Sequence, residues 1–265
     1  MPYEHIQLSH DGYVATLKLN RPDARNAMTP AMGEEVRDAA ESLRADRSVR
    51  VLVVTGEGKA FSGGGDLGML ARDTGVSTGD GHGMGGPPRE FYQRFLAIHS
   101  LPFPTIAAIN GHAIGAGLCF ALACDIRIAA ADAKLGMTFT RLGIHPGMGA
   151  TYFLPRLIGS ARACELLFTG RIIDAPEAER LGIVSRVVAR EAFPAAVQEL
   201  AGELTSAAPI AVRMVKRALY RGLEHSLAEA LDLESMQQAA TFQSADAREG
   251  IRAVMEKREP KFVGE

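Results

Sequence analysis

Residues 6–19, IQLSHDGYVATLKL, set two stretches with alternating apolar positions on either side of Asp11-Gly12, a two-residue turn signal, and predict an opening β-hairpin. The stretch TPAMGEEVRDAAESLRAD at 29–46 then carries apolar residues at helical spacing behind a Thr29 or Pro30 start, and it ends before VRVLVVTG, a short apolar run of buried-strand type. The pair makes a β-α-β crossover. The same alternation recurs: a helical pattern REFYQRFLAIHSL, the strand PTIAAIN, a glycine-led helix from Gly115 to about Ala123, and the strand DIRIAAA. Short apolar strands separated by helices imply a parallel sheet buried on both faces, hence an α/β fold. Beyond about Glu191 the pattern turns helical through AFPAAVQELAGELTS, PIAVRMVKRALYRG, LAEALDLESMQQAATF and DAREGIRAVMEKR. These runs divide the chain into a core over 1–204 and a helical extension over 205–265. Consecutive helices with apolar faces and little sheet to cover predict an oligomer or lid surface; closing over their own core is the plain alternative.

Composition narrows the function. At 47% hydrophobic, 265 residues can build a full core, and an ordered chain is expected. Lys and Arg total 29 against 31 Asp and Glu, so no general field attracts nucleic acid or an anionic membrane, and an anionic ligand must be held locally. The three cysteines, Cys119, Cys124 and Cys164, show no CxxC spacing and cannot all pair, which suits a reducing compartment. The opening MPYEHIQLSHDGYVATLKLN lacks an apolar signal region, and no run is long enough to cross a bilayer, so a cytoplasmic location is expected. The seven histidines, among them His5, His10 and His225, have no ligand-type spacing, and no metal site is expected. The Gly-, Pro-, Ser- and Thr-rich segment 71–88, ARDTGVSTGDGHGMGGPP, predicts a loop without a regular element, either a flap over a site or a tolerated insertion.

Two glycine turns carry the chemistry: SGGGD at 62–66 after VLVVTG, and NGHAIGAGL at 110–118 after PTIAAIN. Both fall at carboxyl ends of predicted parallel strands, where open α/β sheets bind ligands. Facing one cavity, each could aim one backbone N–H at a single oxygen, an oxyanion hole in which the second donor gains from the helix it begins. Either turn alone is equally a way to end a strand. Other glycine devices fail on context. GHAIGAG lacks the G-x-G-x-x-G spacing of a dinucleotide site, and GEGKAFS has Ala60 where a phosphate loop needs Ser or Thr after its lysine.

Five segments in order, NRPDARNAM (20–28), GKAFSGGGDL (58–67), PTIAAINGHAIGAGLCFALACDIRIA (104–129), LGIHPGMGATYFLPRLIG (142–159) and FTGRIIDAPEAERLGIVSRVV (168–188), resemble the crotonase, or enoyl-CoA hydratase/isomerase, superfamily. The resemblance runs from about residue 6 to EKREPKF at 256–262. It implies a crotonase-like spiral of β-β-α units, a helical C-terminal region that packs homotrimers or dimers of trimers, and an acyl-CoA thioester as ligand. Coenzyme A would enter as part of the substrate, with no other cofactor. The thioester oxygen would sit between the N–H groups of Gly65 and Ala116; the latter position is often glycine in the family, yet alanine still supplies the donor. The substrate would lie along Arg25, Ala27, Gly63, Gly64, Gly65, Asp66, Leu67, Gly115 and Phe139, with the ribose-phosphate end near Arg25. RNA binding, known in one branch, is not favoured, since helix 30–45 has no lysine-rich face.

One departure matters. The family's hydratases carry one glutamate two positions beyond the last glycine of the second turn and another before LG-x-x-PG; here those positions hold Cys119 and Phe139. Syn addition of water wants a base for the water and an acid for Cα, each worth roughly a hundredfold or more, so simple hydration is disfavoured. Isomerisation, decarboxylation or another enolate step tolerates the loss better; a noncatalytic thioester-binding protein is the rival. Cys119 is a titratable candidate or an inert apolar residue. His145, in GIHPGMG, is a candidate acid or base or a structural hydrogen bond. Tyr92 and Glu90 lie on the helix after the 71–88 segment, where some relatives recruit active-site groups. His82 reaches a site only by flap closure, His112 is expected to pack beside a strand end, Asp66 to cap the helix after SGGG, and Asp125 to mark a helix–strand junction.

Overall fold

The computed structural model describes residues 3–76 and 83–265. Its strands are β1 (Ile6–Asp11), β2 (Val14–Leu19), β3 (Val51–Gly56), β4 (Ala60–Ser62), β5 (Thr105–Ile109), β6 (His112–Ile114), β7 (Ile126–Ala130), β8 (Lys134–Gly136), β9 (Ile172–Asp174) and β10 (Arg186–Val188). Its helices are α1 (Pro30–Ala45), α2 (Leu67–Asp73), α3 (Pro88–Leu96), α4 (Ala116–Leu122), α5 (Ala150–Ile158), α6 (Ser160–Thr169), α7 (Ala175–Leu181), α8 (Phe193–Ser206), α9 (Pro209–Gly222), α10 (Leu227–Phe242) and α11 (Ala245–Glu256). A six-stranded sheet runs β1-β2-β3-β5-β7-β10, parallel except for the β1–β2 hairpin. A second sheet of four short strands runs β4-β6-β8-β9, with β9 antiparallel.

The two sheets alternate along the chain. β3, β5 and β7 each enter the large sheet, and the strand that follows, β4, β6 or β8, enters the small one. That alternation is a spiral of β-β-α turns, and it stacks the ends of β4 and β6 side by side. The large sheet is buried on both faces: Leu52, Val54, Ala107 and Ile109 face the main core, while Val51, Val53, Ile106 and Ile128 pack with Phe193 and Val197 of α8. Successive side chains alternate faces, so a strand covered twice reads as one apolar run.

Local chemistry explains the boundaries. Thr29 accepts from the Met32 N–H and caps α1, with Pro30 at the first helical position. The hairpin forms, but its loop is Gly12-Tyr13 rather than Asp11-Gly12: Asp11 still pairs with Val14, and Gly12 takes φ +55 at the first loop position, where such a turn needs glycine. The segment 71–88 is helical at both ends, since α2 continues to Asp73 and α3 starts at Pro88. Residues 77–82, with His82, lie outside the described residues. α8 covers the sheet and belongs with the core, whereas from Pro209 onward the buried residues are Pro209, Asp246 and Ala253.

Candidate active site

Asn26 builds the first wall of the site. Fully buried at φ +53, it donates to the Glu57 and Ala60 carbonyls at 3.0 and 2.8 Å and accepts from the Arg21 N–H at 2.9 Å. Its own carbonyl accepts from Ser62 Oγ at 2.8 Å, and Ser62 Oγ in turn accepts from the Gly64 N–H at 3.2 Å. Three backbone bonds complete the clamp: Gly63 N–H to Arg25 O, Met28 N–H to Gly64 O, and Asp66 N–H to Met28 O, at 2.8, 2.8 and 3.0 Å. Arg25, Ala27 and residues 63–67 are therefore brought together, as the sequence suggested. Asp66 caps α2 by accepting from Met69 N–H and meets Arg21 at 3.3 Å. The Arg25 side chain is exposed, with no hydrogen bond among the described residues, and Leu67 is 71% exposed.

The second turn abuts the first. A Cβ on Gly64, at φ +95, would come within 2.7 Å of the Ile114 carbonyl and 3.5 Å of the Ala116 nitrogen; one on Gly117 would strike Ser62. Glycine is required at both places because two backbones touch. The strands preceding these turns are β4 and β6, paired in parallel, rather than β3 and β5 as the apolar runs alone implied. Gly115, at φ +54, spends its own N–H on the Gly136 carbonyl at 2.7 Å. The N–H groups of Gly65 and Ala116 have no acceptor among the described residues. Ala116 is the first residue of α4, so its donor lies at a helix N-terminus.

The remaining wall is apolar. The Phe139 ring and the Thr138 hydroxyl approach Gly115, at 4.0 and 3.8 Å from where its Cβ would be. Cys119, one turn along α4 from Ala116, is fully buried; its thiol points to the Gly147 carbonyl at 3.4 Å and the Met137 sulfur at 3.8 Å. Burial pushes this thiol far above its ordinary range. Full burial and a raised thiol fit the second of the two roles the sequence left open for Cys119, a neutral apolar residue in the wall. His145 is exposed, and its Nδ1 donates to the Pro146 carbonyl at 2.8 Å, which is the structural hydrogen bond. The inward side of that loop is Gly147, where a Cβ would overlap the Tyr92 hydroxyl. Tyr92 is half-buried on α3, and burial raises its phenol above the ordinary value.

His112 is exposed rather than packed, accepting from the Lys134 N–H at 3.3 Å. Glu90 is exposed at the start of α3. Asp125 is a structural junction, accepting from Thr105 N–H and Oγ1, Lys216 Nζ and the Tyr220 hydroxyl at 2.7–2.9 Å. Among the described residues no cluster of three or more His, Cys, Asp or Glu groups could hold a metal. Sequence reasoning missed the positioning roles of Asn26 and Ser62. An asparagine, which tolerates the left-handed backbone, between Arg25 and Ala27 was the available signal.

Residues 10–265 match the family model described as enoyl-CoA hydratase/isomerase. The chain is 36% identical over 264 residues to a crotonyl-CoA hydratase of Syntrophomonas wolfei, covering 99% of each. It is 41% identical to human enoyl-CoA hydratase domain-containing protein 2, mitochondrial, over 96% of this chain and 87% of that one. A crystal structure of enoyl-CoA hydratase from Bacillus anthracis superposes with a TM-score of 0.90 at 37% identity, covering 99% of this chain and 100% of the other.

Proposed function

The chain belongs to the enoyl-CoA hydratase/isomerase family, and from that premise we propose that it binds an acyl-CoA thioester and stabilises its enolate between the N–H groups of Gly65 and Ala116. The interlocked turns carry this reading. Gly64 lies against Ile114 and Ala116, Gly117 lies against Ser62, and both donors are left without an acceptor among the described residues. Two preorganised N–H groups favour charge that develops on a thioester oxygen as Cα gains carbanion character. Coenzyme A enters only as part of the substrate, its ribose-phosphate end beside Arg25 and Ala27. Isomerisation or another enolate step is favoured over hydration, because the positions that would hold a carboxylate pair present the Cys119 thiol and the Phe139 ring. The active unit is a homotrimer or a pair of trimers, with 1–204 as the acyl-CoA core and 205–265 as the assembly region, working in the cytoplasm.

The test is Ala116→Pro. Proline is tolerated at the first position of a helix and lacks an N–H, so one donor is deleted while α4 keeps its start. Turnover on a responsive acyl-CoA should fall about a hundredfold or more, the scale of one lost oxyanion donor, with CoA-ester affinity little changed. Unchanged turnover would remove Ala116 from the site. Crotonyl-CoA hydration by the parent protein should be slow; hydration at the rate of an efficient hydratase would overturn the preference for single-base chemistry. Binding without turnover across a broad set of thioesters would favour the noncatalytic binder.

A further inference from the structure

The site as described has an oxyanion hole and no carboxylate acid or base. Of the side chains placed along its wall, Met137 and Phe139 are apolar, Thr138 has a hydroxyl that does not titrate in water, and Cys119 is sealed as a neutral thiol. Tyr92 is different. Phe91 and Phe95 of α3 are buried in the core, and Tyr92 between them is half-buried at the core's edge. Its hydroxyl rests against Gly147 so closely that a Cβ there would overlap it, and that same Gly147 carbonyl receives the Cys119 thiol. Cys119 follows Ala116 by three residues, about 4.5 Å along a helix. The phenol therefore shares its neighbour Gly147 with Cys119, the residue at the position where the family's hydratases hold a carboxylate. The hydroxyl makes no hydrogen bond among the described residues. The opposing loop is pinned by buried Met148, a non-glycine residue at φ +49, a conformation held only when its surroundings enforce it.

We propose that Tyr92 is the proton-transfer residue of this site, exchanging its phenolic proton with Cα of the bound acyl-CoA. This rests on the enolate reading given above. In the donating direction the phenolic O–H bond breaks as a Cα–H bond forms. The electron pair of the enolate C=C enters the new bond, the thioester carbonyl is restored, and the negative charge passes to the phenolate, which recovers a proton from water. The reverse step removes a Cα proton and returns the charge to the oxyanion hole. Burial favours the neutral phenol, so the acid predominates at rest; on a saturated ester exchange starts from the phenolate fraction, a strong base that takes a Cα proton, and the phenol so formed swaps its proton with water before one is returned to Cα.

The experiment incubates acetyl-CoA, butyryl-CoA and octanoyl-CoA with the full-length protein in deuterium oxide and follows Cα exchange by mass spectrometry, with thioester affinity measured in parallel. The parent should exchange at least one ester. Tyr92→Phe, which removes one oxygen, should lower that rate about a hundredfold or more with affinity within twofold. Gly147→Ala should also lower it, because the new methyl group displaces the hydroxyl while leaving Tyr92 chemically intact. Exchange by Tyr92→Phe within threefold of the parent would overturn the assignment and leave the enolate reading standing. Binding of all three esters by the parent without exchange would overturn the enolate reading, and Tyr92 with it.

Discussion

At the scale of single residues, the glycine run at 63–65 separates into one position that must be glycine, Gly64, and two whose Cβ would make only ordinary contacts. Gly64 combines φ +95 with a backbone oxygen 2.7 Å from any Cβ, and a carbonyl in a paired strand cannot swing aside. Gly64→Ala should cost stability by about 1–3 kcal/mol from backbone strain alone and should spread the two turns, lowering turnover. Gly65→Ala should be mild: its Cβ would meet only the Leu70 and Met69 side chains, at 3.6 Å or beyond, and the N–H is retained. Melting temperatures and turnover of the pair check the contrast; equal effects would mean that the turns are not interlocked. The thiols give a second contrast. Cys164 is exposed, whereas Cys119 and Cys124 are buried, with burial pushing the Cys124 thiol up to about 12. A maleimide should label Cys164 quickly and the other two only on unfolding. Because the folded state keeps protons that unfolded thiols release from about pH 9, this contribution is complete below that pH. It is lost as pH rises toward 12, and Cys124→Ala should blunt the alkaline fall in unfolding free energy.

At the scale of elements, α9 is tied to the core through charge more than through apolar contact. Lys216 meets Asp125 at 2.7 Å and the Phe103 carbonyl at 2.9 Å, the Tyr220 hydroxyl meets Asp125 at 2.7 Å, and Lys216 and Asp125 are only 10% and 15% exposed. Removing the carboxylate strands a nearly buried ammonium, so Asp125→Ala should cost about 3–5 kcal/mol and loosen α9. Denaturant titration gives the first quantity, and faster tryptic cleavage within the Arg- and Lys-bearing helix reports the second. That junction was legible in the sequence as a helix–strand boundary, as were α1 from its Thr29-Pro30 start, α4 from its glycine lead, and α8 to α11 as successive helical runs. The small sheet was not. Ala60–Ser62, His112–Ile114, Lys134–Gly136 and Ile172–Asp174 are three residues each, too short for alternation to register, and their pairing is entirely non-local. The two abutting turns were legible because close backbone approach leaves glycines behind. Tyr92 could be placed on its helix, but its meeting with Gly147 depends on how α3 packs against a loop more than fifty residues away.

At the scale of the whole molecule, the last helices carry apolar surface that this chain does not cover. α10 has no buried residue in sixteen, and Leu227, Leu231, Met236 and Phe242 are 54–75% exposed; Ile251, Val254 and Met255 of α11 are 61–79% exposed. α10 nevertheless begins with a complete capping box, Ser226 and Glu229 bonding reciprocally, so its fold is specified even though its face is open. A specified helix with exposed Leu, Met and Phe is the geometry of a contact surface, because monomeric proteins rarely leave such patches in water. The C-terminal tail is held, with Asp246 accepting from the Val263 and Gly264 N–H groups and Arg50 donating to the Phe262 carbonyl, which fixes α11 relative to the sheet. On the homotrimer or pair of trimers proposed above, sedimentation velocity should find three or six copies at micromolar concentration. Replacing Leu231 and Met236 with glutamate should shift the protein toward monomer while leaving the core fold intact by circular dichroism, since neither side chain contributes to the buried core. A parent protein that sediments as a monomer at high concentration would instead mean that α10 and α11 serve a different partner or close over their own chain.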